Sequence, residues 1–233
     1  MARPHPQPTA GRALAVAGLL LAALLAACSD DDGGGAAPST TLPEDLVAES
    51  CVVRLHGRGE TGAEAEVRDG VAELAPTGNG EAGDGHEWVY DPEDAFDEAV
   101  AVVADVVDQV GCTRVVLDGF SNGAAFAATV ACRGETFGDT LVGVVVDDPP
   151  PDEGVVDCAP APGVARALYW TGALDEQAQA GADCDDVGWT CAGGRLLGLD
   201  AYAEALGVEV QDSPYDEHRW YRDAPEIEAW LAP

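Results

Sequence analysis

From residue 51 onward, short apolar runs alternate with stretches of helical periodicity. CVVRLHG (51–57), VAELAP (71–76), TRVVLDG (113–119), LVGVVVDD (141–148), VARALYWTG (164–172) and VEVQD (208–212) predict six strands. GAEAEVRDG (62–70) reads as a weak helix, and GNGEAGDGHEWVYD (78–91) as a polar, glycine-rich loop. Residues 91–111 predict the longest helix, with Asp91 at the N-cap, Pro92 at the first helical position and Gly111 as its stop. Phe96, Val100, Val103, Val106 and Val107 form its apolar stripe. Shorter helices follow at about 122–132, 197–206 and 223–231. Strands alternating with helices predict an α/β fold, a sheet of about six mainly parallel strands with helices on both faces. Right-handed crossovers then bring the carboxyl ends of the strands to one rim, so chemistry is expected just after strands.

The chain before residue 46 has a different character. A basic start (Arg3, Arg12) precedes an apolar run from Ala13 to Ala27, ending at Cys28. That is the layout of a secretory signal, and the run is short for a membrane span of roughly twenty residues. Leu25-Ala26-Ala27-Cys28 resembles a bacterial lipobox, which implies cleavage before Cys28 and a lipid on its sulfur. Residues 28–45 read as an acidic, Gly/Pro/Ser/Thr-rich tether and 46–233 as one domain. The expected location is the outer face of the bacterial cell membrane, held by the N-terminal lipid.

Charge narrows the partners. There is no lysine, and beyond residue 28 there are 43 carboxylates against 9 arginines, a charge of −34. Nucleic acid is therefore not expected as a partner. Oligomeric state is not legible. No CxxC or HxxxH spacing is present, so no metal or other cofactor is expected. Six cysteines besides Cys28 suggest three disulfides in an exported protein.

The sharpest motif is GFSNG, Gly119 to Gly123, between an apolar run and a helix-forming segment. A G-x-S-x-G in that place makes a strained strand-to-helix turn that lifts the serine oxygen out at the sheet rim. Here the chain resembles the α/β-hydrolase family, in particular its small, lidless esterases of the dienelactone-hydrolase-like and polyhydroxybutyrate-depolymerase-like kind, over about residues 51 to 233. The resemblance implies a minimal α/β-hydrolase fold without a lid domain, and Ser121 as nucleophile. HGRG (56–59) looks like the family's oxyanion loop. The implied donors are the amides of Asn122 and of Arg58, or of Gly59 as the nearest alternative. His218, after the last strand and before the last helix, occupies the family position of the base. WTGALDE (170–176) is similar to the family's G-x-x-D segment, which makes Asp175 the expected acid; Asp147 and Asp148, after the fourth strand, are the rival, since some lipases carry their acid there.

The same resemblance implies the pairings Cys51–Cys112, at the amino ends of neighbouring strands, and Cys132–Cys158. Cys184–Cys191 would close a small loop. Trp88, Tyr90, Phe120, Trp189 and Trp220 read equally as pocket lining or as core. The expected function is serine-dependent hydrolysis of a small or polymeric carboxylic ester. A peptidase or thioesterase on the same fold, or a non-catalytic binding protein on a hydrolase scaffold, is the alternative.

Overall fold

The computed structural model describes Leu42 and residues 46–232. The expected signal, the lipidated Cys28 and the tether apart from Leu42 lie outside them; Leu42 is partly buried against the core.

The elements in order are β1 (Ser50–Leu55), β2 (Ala63–Arg68), β3 (Val71–Ala75), β4 (Gly80–Ala82), β5 (Gly85–Glu87), α1 (Glu93–Val110), β6 (Arg114–Phe120), α2 (Asn122–Cys132), β7 (Leu141–Asp147), β8 (Ala165–Trp170), α3 (Cys184–Val187), α4 (Leu199–Leu206), β9 (Val210–Asp212) and α5 (Pro225–Leu231). One sheet runs β2-β3-β1-β6-β7-β8-β9. The six strands predicted from the apolar runs are its parallel part, and β2 is added antiparallel to β3 at one edge.

Strand alternation sends two sets of side chains to opposite faces. Val53, Leu55, Val115, Leu117, Val144, Val146 and Leu168 bury against α1, α2 and α4. Val52, Val116, Val145 and Ala167 bury against Ile227 and Leu231 of α5. The order of strands reverses between β1 and β6, where one connection leaves towards β3 and the next towards β7. Such a switch point opens a crevice beyond the carboxyl ends of the two strands, and it is there that the HGRG and GFSNG segments fall. Between β7 and β8 only a 3₁₀ turn, Glu153–Val155, is present, so no cap is inserted there.

Three local expectations are corrected. Residues 62–70 hold the strand β2 and its following turn, and not a helix. Ala-Glu-Ala-Glu-Val-Arg alternates with period two, and Asp69-Gly70, both at positive φ (54° and 84°), make the tight turn into β3. The loop 78–91 contains the hairpin β4–β5. At α1 the cap is Pro92 in extended geometry, and no side chain caps the helix. Gly111 ends it as expected, left-handed at φ 77° with its N–H on the Val107 carbonyl.

The three disulfides pair as expected, Cys51–Cys112, Cys132–Cys158 and Cys184–Cys191.

Candidate active site

Ser121 stands alone between β6 and α2 at φ 52°, ψ −120°. A non-glycine residue there carries strain on the order of 1–3 kcal/mol, so its surroundings must hold it. They do so through the backbone: the Ser121 N–H donates to the Asp147 carbonyl (2.9 Å), and its carbonyl accepts from Ala124 (3.0 Å) and Ala125 (3.1 Å). The two motif glycines are steric requirements. A Cβ on Gly119 would collide with the Gly123 carbonyl, and one on Gly123 with the carbonyls of Leu55 and His56. Every residue of α2 is buried while Ser121 keeps partial exposure. Ser121 thus stands at the N-terminus of a buried helix, where the first N–H groups lack intrahelical acceptors.

The turn after β1 lies against this elbow. A Cβ on Gly57 would sit 3.4 Å from the Ser121 Cβ. His56 is buried; its Nε2 accepts from the Gly78 N–H (2.9 Å), so Nδ1 carries the proton and donates to the Gly57 carbonyl (2.8 Å). Burial lowers its pKa and keeps it neutral. Both ring nitrogens are thereby engaged by backbone groups, so the side chain braces the turn. In the turn itself the Gly57 N–H is taken by the Glu60 carboxylate (2.9 Å), the Gly59 N–H by the His86 carbonyl (2.8 Å) and the Glu60 N–H by the Gly57 carbonyl (3.3 Å). Among the described residues only the Arg58 N–H of this turn has no protein acceptor. That removes Gly59 as the alternative donor. The Arg58 side chain is anchored to Glu87 (2.9 Å) and the Gly188 carbonyl (3.1 Å). The Asn122 side chain is also spoken for, exchanging two hydrogen bonds with the Trp88 backbone (2.6 and 3.0 Å). Only its backbone N–H, at the first position of α2, is available to a ligand.

His218 lies between β9 and α5. Its Nδ1 donates to Asp148 Oδ2 at 3.1 Å, and its ring lies over Phe120 with centroids 4.5 Å apart. Asp148 is fully buried just after β7, at φ 47°. It also accepts from the Thr171 N–H and the Thr171 hydroxyl, each at 2.8 Å. Three donors fix both carboxylate oxygens.

The expected acid, Asp175, is not brought to the histidine. It is exposed, and its Oδ1 accepts from the Trp170 indole at 2.7 Å. The reason is local. The turn Thr171–Gly172 (Gly172 at φ 79°) sends the chain away after β8, while its own Thr171 grips Asp148. The carboxylate beside His218 is the rival from β7.

Asp147 and Asp148 diverge although adjacent in sequence. Asp147 points to the α5 face, where its Oδ2 accepts from the Tyr221 N–H. Burial, then its Asp148 and Asp118 neighbours, raises its pKa to about 8 against the pull of that hydrogen bond. Asp118 is paired with Arg54 and accepts from the Trp220 indole (3.1 Å), yet burial still lifts it to about 6. Asp152 sits apart from the serine, gripped by Tyr90 (2.6 Å) and the Gly154 and Ala192 amides (2.9 Å each), with burial raising it to about 6.

The mostly parallel sheet, the strained turn at Ser121 and the rim beyond the strand ends agree with the α/β fold expected from the sequence. Solved structures similar to this chain include a carboxylesterase of Bacillus cereus, 17% identical over 81% of this chain and 88% of that one, with a TM-score of 0.47. An esterase of Pyrococcus furiosus is 12% identical over 79% and 85%, TM-score 0.46. A putative thioesterase from a Silicibacter species is 13% identical over 81% and 78%, TM-score 0.44. No family model and no curated protein sequence matches the chain.

Of the aromatics, Trp88 and Tyr90 are core, with Trp88 stacked on Phe126 at 4.9 Å. Phe120 and Trp220 stack on each other at 5.8 Å beside His218, and Trp189 is half-buried in the loop closed by Cys184–Cys191. Sequence reasoning missed Thr171, Arg54 and Asp118. The last two carried a signal, since a charged residue inside an apolar strand run needs a partner.

Proposed function

We propose that this protein is a serine hydrolase acting on carboxylic esters, with Ser121 as nucleophile, His218 as general base and Asp148 as the orienting acid. The observation that carries this reading is the His218–Asp148 hydrogen bond formed at the rim where a strained Ser121 emerges. Asp148 fixes the proton on Nδ1, which leaves Nε2 as the basic nitrogen.

In the proposed reaction, Ser121 Oγ attacks the ester carbonyl carbon as Nε2 takes its proton. The backbone N–H groups of Arg58 and Asn122 receive the oxyanion of the tetrahedral intermediate. The imidazolium, held by the Asp148 carboxylate, returns the proton to the departing alcohol oxygen. Water then attacks the acyl-enzyme by the same route and frees the acid. The open rim suits an ester carried on a bulky or polymeric body as well as a small soluble one.

The wider setting follows from the N-terminal pattern. We place the enzyme outside the cytoplasm, tethered through lipid on Cys28, and the three disulfides of the domain suit an oxidising compartment. Labelling with a fluorophosphonate probe, followed by a p-nitrophenyl ester chain-length series, tests the reading. Labelling at Ser121 with turnover of short esters is expected. A folded protein that neither labels nor hydrolyses any ester would overturn it.

A further inference from the structure

Next to the proposed triad the protein buries three ionisable side chains that the reaction does not use: Arg54 at the end of β1, Asp118 at the end of β6 and Asp147 at the end of β7. Alternation places all three on the α5 face, and Arg54 and Asp118 are register partners across the β1–β6 pair. An apolar set of similar volume would bury there at lower cost, because desolvating such charges costs several kcal/mol per ion. Their common target is the segment that follows His218. The Trp220 indole donates to Asp118 (3.1 Å), the Tyr221 N–H donates to Asp147, and Arg54 donates to the Arg222 carbonyl (2.9 Å) while pairing with Asp118. Three consecutive residues are thus each held by a buried ionisable group from a different strand. The contact reaches the imidazole by a second path, since Trp220 stacks on Phe120 (5.8 Å, 15°) and Phe120 packs against the His218 ring at a tilt (4.5 Å, 32°).

We infer that Asp118, acting through Trp220 and with Arg54, is a positioning residue that sets the orientation of the His218 imidazole. The inference rests on the assignment of His218 as base. Asp148 fixes one ring nitrogen but leaves the imidazole free to rotate about that hydrogen bond. The Trp220–Phe120 stack limits this rotation, and the Asp118–indole hydrogen bond limits the sliding of Trp220. His218 lies on a segment with no regular secondary structure between β9 and α5, so its backbone has no ladder or helix to hold it otherwise. The charged groups around Asp118 are Arg54 from β1, Glu73 from β3 (3.5 Å from Arg54), Asp147 from β7 and Arg222 from the histidine segment, whose guanidinium lies 4.4 Å from the Trp220 ring centroid.

The test compares Trp220→Phe, which deletes the indole donor and keeps a ring on Phe120, with Asp118→Asn. The second variant leaves Arg54 without its counter-charge and risks misfolding, which is why the first is the primary one. Two readouts are taken on the full domain: kcat and KM for a p-nitrophenyl ester, normalised to the folded fraction, and the imidazole ¹H–¹⁵N signals of His218, assigned with His218→Gln. Trp220→Phe should lower kcat tenfold or more with KM within twofold, and should shift or broaden the His218 ring signals. Unchanged ring signals with kcat within twofold of the parent, or a loss that only follows the folded fraction, overturns the inference. An unsubstituted protein without turnover or probe labelling overturns the hydrolase reading instead, and the ring signals still decide whether Asp118 orients the imidazole.

Discussion

Asp148, one residue past β7, receives the Nδ1 hydrogen of His218, 70 residues further along the chain, at 3.1 Å. Its other bonds are to Thr171, at the start of the turn where the acid had been expected. The two candidate positions for the acid are therefore joined, with β7 supplying the carboxylate and the turn after β8 holding it.

Asp148→Asn should cut kcat by a factor on the order of 10³–10⁴, because an amide can donate to Nδ1 and stabilise the wrong tautomer. Asp175→Asn should leave kcat within about twofold, since Asp175 is exposed and its side chain accepts only from the Trp170 indole, away from His218. Steady-state kinetics on the two purified variants decides between them. A crippled Asp175→Asn beside a healthy Asp148→Asn reverses the assignment.

Ser121→Ala should abolish fluorophosphonate labelling and lower ester turnover by about a thousandfold or more, with the circular dichroism spectrum unchanged. The substitution also replaces one non-glycine residue by another at φ 52° and so leaves the elbow strain in place. Retention of more than a few per cent of the activity assigns the nucleophile elsewhere.

Gly123→Ala should be damaging in two ways at once. The new methyl group would collide with the backbone carbonyls of Leu55 and His56, which cannot swing away as a side chain would. A loss of stability of about 2 kcal/mol or more is expected, the size typical of overpacking, together with loss of activity as the oxyanion turn is pushed off the elbow. Urea unfolding and ester turnover measure the two. Gly70→Ala is the contrast. At φ 84° in open space it is strained by backbone conformation alone and lies far from the serine in sequence, so it should cost stability and spare kcat.

The Asp147 carboxyl sits at about 8 in the folded chain, above its ordinary value of 3.8. Between these values the folded state keeps a proton that the unfolded chain has released. This contribution to stability is complete below about pH 4 and is lost as pH rises through about 8. Asp147→Asn imitates the protonated form, and its amide oxygen can still accept from Tyr221. The variant's melting temperature should lie close to the parent's near pH 4, and its advantage should grow as pH rises to 8.5. Melting curves at pH 4 and pH 8.5 measure this; parallel pH dependence in the two proteins would show that Asp147 ionises normally.

Cys28→Ser should move the protein from the membrane fraction to the medium with its specific activity unchanged. Fractionation and mass spectrometry of the mature N-terminus check this, and an unmodified N-terminus at another residue rules out the anchor.

Apolar periodicity alone determined the six parallel strands, the long helix ending at Gly111 and the strand-to-helix setting of Ser121, because these depend on which residues can be buried at intervals of two or of 3.6. The choice of His218 and the cysteine pairs came from resemblance to a family. The edge strand β2 was legible in its Ala-Glu alternation and Asp69-Gly70 turn, although its composition favours a helix; pairing with β3 outweighed propensity. What only the tertiary structure decided is which of several acids meets the imidazole. Asp147, Asp148 and Asp175 all follow strands in a chain with 43 carboxylates, and nothing local separates them. The positive φ of Asp148 turns its side chain to the rim while Asp147 stays on the α5 face, and the turn at Gly172 leaves Asp175 in solvent. The direction of a side chain at a strand end is set by one backbone angle and by partners distant in sequence, and neither is written in the order of residues.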